Sequence, residues 1–269
     1  MIGGVTPERA LARAFAPGRT ALVAYLMAGY PDRATSLASI RAAAAAGADL
    51  IELGVPYADP LADGPTIVEA AQVALAAEGG FGLAATLSLA AELAEDPGMP
   101  PIALMTYLNP MLRYEFPRLA EDAAAAGVGG FIVPDLPPDS PMTARWQQEA
   151  VQFGIDTVFL AAPTSTPARL ETVAAAATGF IYVVSSVGVT GERGELPPEL
   201  ADLVARVRSW RTSDVPIAVG FGISTPKQAA SVADLADGVI VGSAIVRRQG
   251  DPAEVGEFVR ALARAVHGA

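Results

Sequence analysis

The chain has 269 residues, a formal charge of −11, no cysteine and one histidine. A field of that sign repels nucleic acid and anionic membrane surfaces, and the absence of thiols excludes disulfides, thiolate metal sites and a cysteine nucleophile. The histidine, His267, stands two residues from the end in what reads as a frayed tail, so carboxylate, tyrosine, lysine and hydroxyl groups remain for chemistry.

In chain order, a helical pattern over 7–15 leads into an apolar run at 21–27. That run follows Pro17 and Gly18 and ends at Tyr30-Pro31-Asp32, so it reads as a strand entering a helix and not as a signal peptide. Further apolar, often β-branched runs occupy 50–55, 102–107, 130–133, 157–161, 180–185, 216–220 and 238–241. Runs apolar on both faces predict buried parallel strands. Ala-rich helical patterns separate them at 33–46, 118–126, 141–153, 167–177, 198–211 and 226–236, and a last one covers 252–266. Ser140-Pro141, Thr166-Pro167 and Thr225-Pro226 each supply a capping oxygen followed by proline, and Gly47, Gly127 and Gly179 supply helix stops. Most strands are spaced by about 22–35 residues, one βα unit apiece. Only the second interval is much longer, and Gly79-Gly80 divides it into two helices. No stretch approaches the ~20 apolar residues needed to span a bilayer.

Eight βα units with no linker predict one α/β domain over 1–269. The expected fold is a (β/α)₈ TIM barrel with extra helices before strand 1, in the second βα unit and after strand 8. An open doubly wound sheet uses the same local signals and is the alternative.

In a barrel, chemistry belongs at the C-terminal ends of the strands. Glu52 sits within an apolar strand, on the face opposite Ile51 and Leu53, and alternation points it into the barrel. Burying a carboxylate is costly without a partner, and none of the other predicted strands carries a basic residue to pair with it. An apolar setting raises its pKa and suits it to giving and taking protons. Asp59 and Asp63 precede Pro60 and Gly64, which on spacing alone favours turn roles. Tyr182 on the sixth strand reads on its own as a core aromatic. Beyond it, Gly188 and Gly191 bound a loop long enough to serve as a lid. Gly220-Phe221-Gly222 after strand seven and Gly242-Ser243 after strand eight let backbone N–H groups approach an anion, and a short helix from Ser243 would point its positive end inward. Such a site holds phosphate without a basic patch.

ELGVPYADPLADGPTI (52–67), GVTG (188–191), GFGIS (220–224) and GSAIV (242–246) resemble the tryptophan synthase alpha chain family. Ala28-Gly29-Tyr30-Pro31, Met105-Thr106-Tyr107-Leu108-Asn109-Pro110 and Pro134-Asp135-Leu136-Pro137 extend the similarity over nearly the whole chain. The resemblance implies a lyase that cleaves indole-3-glycerol phosphate to indole and glyceraldehyde 3-phosphate in tryptophan biosynthesis. Glu52 then matches the acid/base at indole C3 and the glycerol hydroxyl, and Asp63 the carboxylate that holds the indole N–H. Tyr182 and Tyr25 match aromatics beside the substrate; Thr190 and Gly191 fall in the lid. Gly191, Phe221, Gly222, Gly242 and Ser243 match phosphate contacts. Within the lid, Ser186 and Val187 depart from the Arg-Ser of some members.

The resemblance further implies no metal and no cofactor in this chain, a cytoplasmic location, and a β-chain partner carrying pyridoxal phosphate in an α2β2 complex. The loop at Asp59-Pro60 and the lid are the expected contacts, and helix 139–153 is scaffold. Two alternatives stay open: a standalone lyase releasing indole, and a non-catalytic activator of a β chain, against which Glu52 and Asp63 both speak. An indole-glycerol-phosphate-forming synthase would be expected to use lysines, and Lys227 at a helix start is the only one.

Overall fold

The computed structural model describes residues 10–184, 199–210, 214–220 and 222–268. A 3₁₀ turn, Leu11–Ala14, precedes β1 (Ala21–Met27), followed by α1 (Arg33–Ala45), β2 (Leu50–Gly54), α2 (Pro65–Ala76) and α3 (Leu83–Ala94). Next come β3 (Ile102–Met105), α4 (Leu108–Tyr114), α5 (Phe116–Ala125), β4 (Val128–Ile132), α6 (Pro141–Ala150) and β5 (Asp156–Ala161). The chain continues through α7 (Pro167–Ala176), β6 (Ile181–Val184), α8 (Leu200–Trp210), β7 (Ile217–Gly220), α9 (Pro226–Ala233), β8 (Gly238–Val241), α10 (Ser243–Val246) and α11 (Pro252–His267). All eight strands are parallel and close in sequence order, β8 returning to β1, so the barrel replaces the open-sheet alternative.

Strand alternation splits the core in two. Leu22, Leu26, Ile51, Leu53 and Val183 face outward onto Ile40, Leu87 and the other helix residues. Val23, Leu50, Met105, Ile132, Val158 and Ile240 face inward and fill the barrel. The floor is closed by Leu11: a Cβ on Gly130 would stand 2.5 Å from its side chain, so glycine at that strand position is what lets the plug seat. Among the described residues no helix is long and apolar enough to cross a membrane.

Three sequence expectations need correction. The helix after β3, α4, was not anticipated, because Tyr107 before it supplies no side-chain cap and Pro110 falls in its first turn. The pattern at 141–153 ends as α-helix at Ala150 and finishes in a 3₁₀ turn, Val151–Phe153. His267 is not frayed. It closes the last turn of α11, with Gly268 beyond it in the left-handed conformation (φ 71°). Its Nε2 lies 2.8 Å from Asp49, a carboxylate that also pairs with Arg19 and accepts from the Leu22 N–H. This cluster gathers at the start of β1, on the floor of the barrel, opposite the mouth.

Candidate active site

At the mouth, a cavity is lined by side chains from several strand ends. Glu52 on β2 faces it with only 2% of its surface exposed. Tyr25 is its register partner on β1, and Tyr182 looks in from β6. Asp63 reaches the cavity from the loop between β2 and α2, while Gly222, Gly242 and Ser243 line it after β7 and β8. Met105, Ile67, Ile223 and Ile240 supply apolar wall. Seven predicted site residues thus converge on one space: Glu52, Asp63, Tyr25, Tyr182, Gly222, Gly242 and Ser243. Thr190, Gly191 and Phe221 lie outside the described residues, as do Ser186 and Val187.

The strand register explains how two tyrosines fit beside the acids. Each leans toward the mouth over a glycine on the neighbouring strand. A Cβ on Gly54 would stand 2.1 Å from the Tyr25 hydroxyl, and one on Gly220 would stand 2.5 Å from that of Tyr182. The strand ends carry glycine where the phenols need room. At Gly222 the requirement is conformational, since φ is +81°.

Burial dominates the electrostatics. It pushes the Glu52 carboxyl up to about 8, with the Asp63 charge adding to the effect. Burial also raises Asp63, to about 6, but a hydrogen bond from Tyr107 pulls the other way. Tyr25 and Tyr182 are held well above the ordinary tyrosine value by burial and by the two carboxyl groups, so both remain O–H donors. Near neutral pH the site therefore pairs a protonated Glu52 with an ionised Asp63. Glu52 Oε2 and the Tyr25 hydroxyl have no hydrogen-bond partner among the described residues. Two carboxyls with separated acidities in one cavity are an acid and an anion ready for different tasks.

Besides the apolar wall, Arg247 and Tyr107 were not among the sequence candidates. Arg247, one helical turn after Ser243, also lines the cavity, so the glycine turns are joined by a cation. The i, i+4 spacing from Ser243 was the available signal. Tyr107, just beyond β3, is 1% exposed and hydrogen-bonded to Asp63 at 3.0 Å; no local pattern announces a bond across 44 residues.

Behind the site, Gln249 fastens β1 to the segment after β8. Its Oε1 accepts from the Met27 N–H at 2.9 Å, and its Nε2 donates to the Met27 and Tyr30 carbonyls at 2.6 and 2.8 Å. The amide is fully buried, and those bonds satisfy backbone groups at the end of a barrel strand.

A family model described as tryptophan synthase alpha chain matches residues 11–265. A tryptophan synthase alpha chain from Chloroflexus aurantiacus is 44% identical over 263 residues, covering 94% of this chain and 97% of that protein. One from Solibacter usitatus is 47% identical over 229 residues, covering 85% of this chain and 83% of that protein. Among solved structures, a chain of Mycobacterium tuberculosis tryptophan synthase superimposes with a TM-score of 0.84 at 41% identity, covering 93% of each chain. A tryptophan synthase subunit alpha from Legionella pneumophila gives 0.81 at 31% identity, covering 93% of this chain and 94% of that one.

Proposed function

The chain belongs to the tryptophan synthase alpha chain family, and from that premise we propose how its residues divide the work. It is a carbon–carbon lyase of tryptophan biosynthesis that converts indole-3-glycerol phosphate to indole and glyceraldehyde 3-phosphate. In our reading Glu52 gives its proton to indole C3, which turns the ring into an electron-accepting indolenine. Asp63 receives the indole N–H and stabilises the positive charge that develops there. The Glu52 carboxylate then takes the proton from the hydroxyl on the carbon bonded to C3. As that oxygen forms the aldehyde C=O, the C–C bond breaks and its electrons return to the ring. Glu52 ends as it began, protonated.

The observation that carries this assignment is the separation of the two acidities, about 8 for Glu52 and about 6 for Asp63, within one cavity. Tyr25 and Tyr182 flank the indole. The phosphate is assigned to Gly222, Gly242 and Ser243, together with Gly191 and Phe221 beyond the described residues, where Thr190 is also assigned to substrate binding. Arg247 adds a charge that favours the anion in a chain of −11 overall.

The family implies a β-chain partner. We propose an α2β2 assembly in the cytoplasm, with pyridoxal phosphate on the β chain and none in this one, and the whole of 1–269 acting as one unit. The loop at Asp59-Pro60 is the proposed docking element; next to it Leu61 is 85% exposed, beside the catalytic Asp63. Indole formation from purified chain and indole-3-glycerol phosphate, with and without the cognate β chain, tests the reading. Turnover that rises with the β chain supports it. Equal turnover and no complex would favour the standalone lyase, and no turnover under either condition would favour the non-catalytic activator.

A further inference from the structure

Asp63 sits in a loop that contains Pro56, Pro60 and Gly64 and no regular structure, yet its proposed task needs a carboxylate fixed to within a fraction of an ångström. Its hydrogen bond among the described residues comes from Tyr107, whose hydroxyl donates to Asp63 Oδ2 at 3.0 Å. The Ala62 N–H donates to the same hydroxyl oxygen at 3.1 Å. An amide can only donate, so it takes the acceptor side of the phenol and leaves the O–H proton directed at Asp63. Oδ1 of the carboxylate is left for the substrate.

The phenol is itself held. Tyr107 is 1% exposed, its ring packs against Tyr57 at 5.2 Å between centroids, and the next residue's N–H is bound by Asp135 Oδ1 at 2.8 Å. Tyr57 belongs to the same loop as Asp63. One residue at the end of β3 therefore grips that loop at three points: Tyr57 by its ring, Ala62 and Asp63 by its hydroxyl.

We propose that Tyr107 is a positioning residue for the lyase reaction, orienting the Asp63 carboxylate and keeping it ionised for the indole N–H. The inference rests on the reading of Asp63 given above. A merely structural tyrosine would tie the loop down without tuning Asp63, and the two roles separate by pH. The ionisable groups around the pair are Asp63 and Tyr57 on the loop, Glu52 on β2, Tyr25 on β1, Tyr182 on β6 and Asp135 after β4, and Arg247 lines the same cavity after β8. Among them the Tyr107 hydrogen bond is the contribution that favours ionised Asp63.

Tyr107→Phe keeps the ring and its packing on Tyr57 and deletes the hydroxyl. With indole-3-glycerol phosphate, kcat should fall about tenfold while affinity for glycerol 3-phosphate, which lacks the indole, stays within about twofold. The acid limb of the rate profile, set by Asp63, should move to higher pH. Added to Asp63→Asn, the same change should cost less than about twofold more, since one interaction cannot be lost twice. Carbon-13 NMR titration of the Asp63 carboxyl reads the shift without turnover, and its midpoint should rise in Tyr107→Phe. An unmoved midpoint, or an unmoved acid limb with kcat intact, overturns the proposal. Near-wild-type turnover by Asp63→Asn would instead remove the reading of Asp63 on which the proposal stands.

Discussion

Glu52 is buried to 2% exposure, and Oε2 of its carboxyl finds no protein partner among the described residues. The folded state therefore keeps the proton up to about pH 8, whereas the unfolded chain releases it near 4.5. Between those values the native state binds more protons than the unfolded one, so this group's contribution to stability is present at low pH and is lost as pH rises through about 8. Asp63 adds the same sign over a narrower window, from 3.8 to about 6. Glutamine at position 52 has no proton to lose. Denaturant unfolding should show Glu52→Gln gaining on the wild type as pH is raised from 5 to 8, by on the order of a few kcal/mol at the upper end. A difference that stays flat across that range would mean Glu52 is not held neutral. A gain that grows with pH, beside the expected loss of activity, would give both one cause: a group kept in an unfavourable setting for the proton transfers proposed for it.

At the scale of elements, the proposed phosphate site depends on short turns. Gly242 immediately precedes α10, and a Cβ there would come no closer than 3.7 Å to Tyr25, so a side chain is tolerated by the fold. The added atoms would stand where the proposed phosphate contact needs close approach to the backbone. Gly242→Val should leave thermal unfolding little changed and weaken glycerol 3-phosphate binding about tenfold or more, by calorimetry; undiminished affinity in the folded variant would sink the assignment. Local chemistry of this kind was legible in the sequence. Ser140, Thr166 and Thr225 cap their helices as the cap-and-proline pattern predicts, and Thr225 completes a capping box with Gln228. Glu52 was legible because a lone carboxylate breaks an apolar strand. The convergence of Asp63 and Tyr182 on Glu52 was not: by spacing alone one reads as a turn and the other as core, and only the family resemblance singled them out. The hold of Asp49 on His267 and of Tyr107 on Asp63 spans 218 and 44 residues. The first pairing is set by barrel closure and the second by the pairing of β2 with β3, and no window of sequence contains either.

For the whole molecule, barrel closure separates two ends with different work. The floor carries packing devices, Leu11 against Gly130 and Asp49 with Arg19 and His267, while the mouth carries the carboxyls, the glycine turns and the exposed Leu61 loop. A β chain docking at the mouth would sit beside the loop that bears Asp63. Any effect of the partner on substrate binding must then be returned by substrate on partner binding. Sedimentation with the cognate β chain should show the association tightening when glycerol 3-phosphate is added, by about the factor by which the β chain tightens glycerol 3-phosphate. A complex indifferent to the ligand would leave the two sites unlinked. All of this presupposes the assignment of Glu52, and the most direct test is the turnover of Glu52→Gln with indole-3-glycerol phosphate in the presence of the β chain. Glutamine preserves shape but cannot shuttle a proton, and general acid–base assistance of ~10²–10⁴-fold is at stake, more if one group serves both transfers. The folded variant should bind glycerol 3-phosphate normally and form indole at least about a hundredfold more slowly; near-normal turnover by a folded variant would contradict the acid–base role assigned to Glu52.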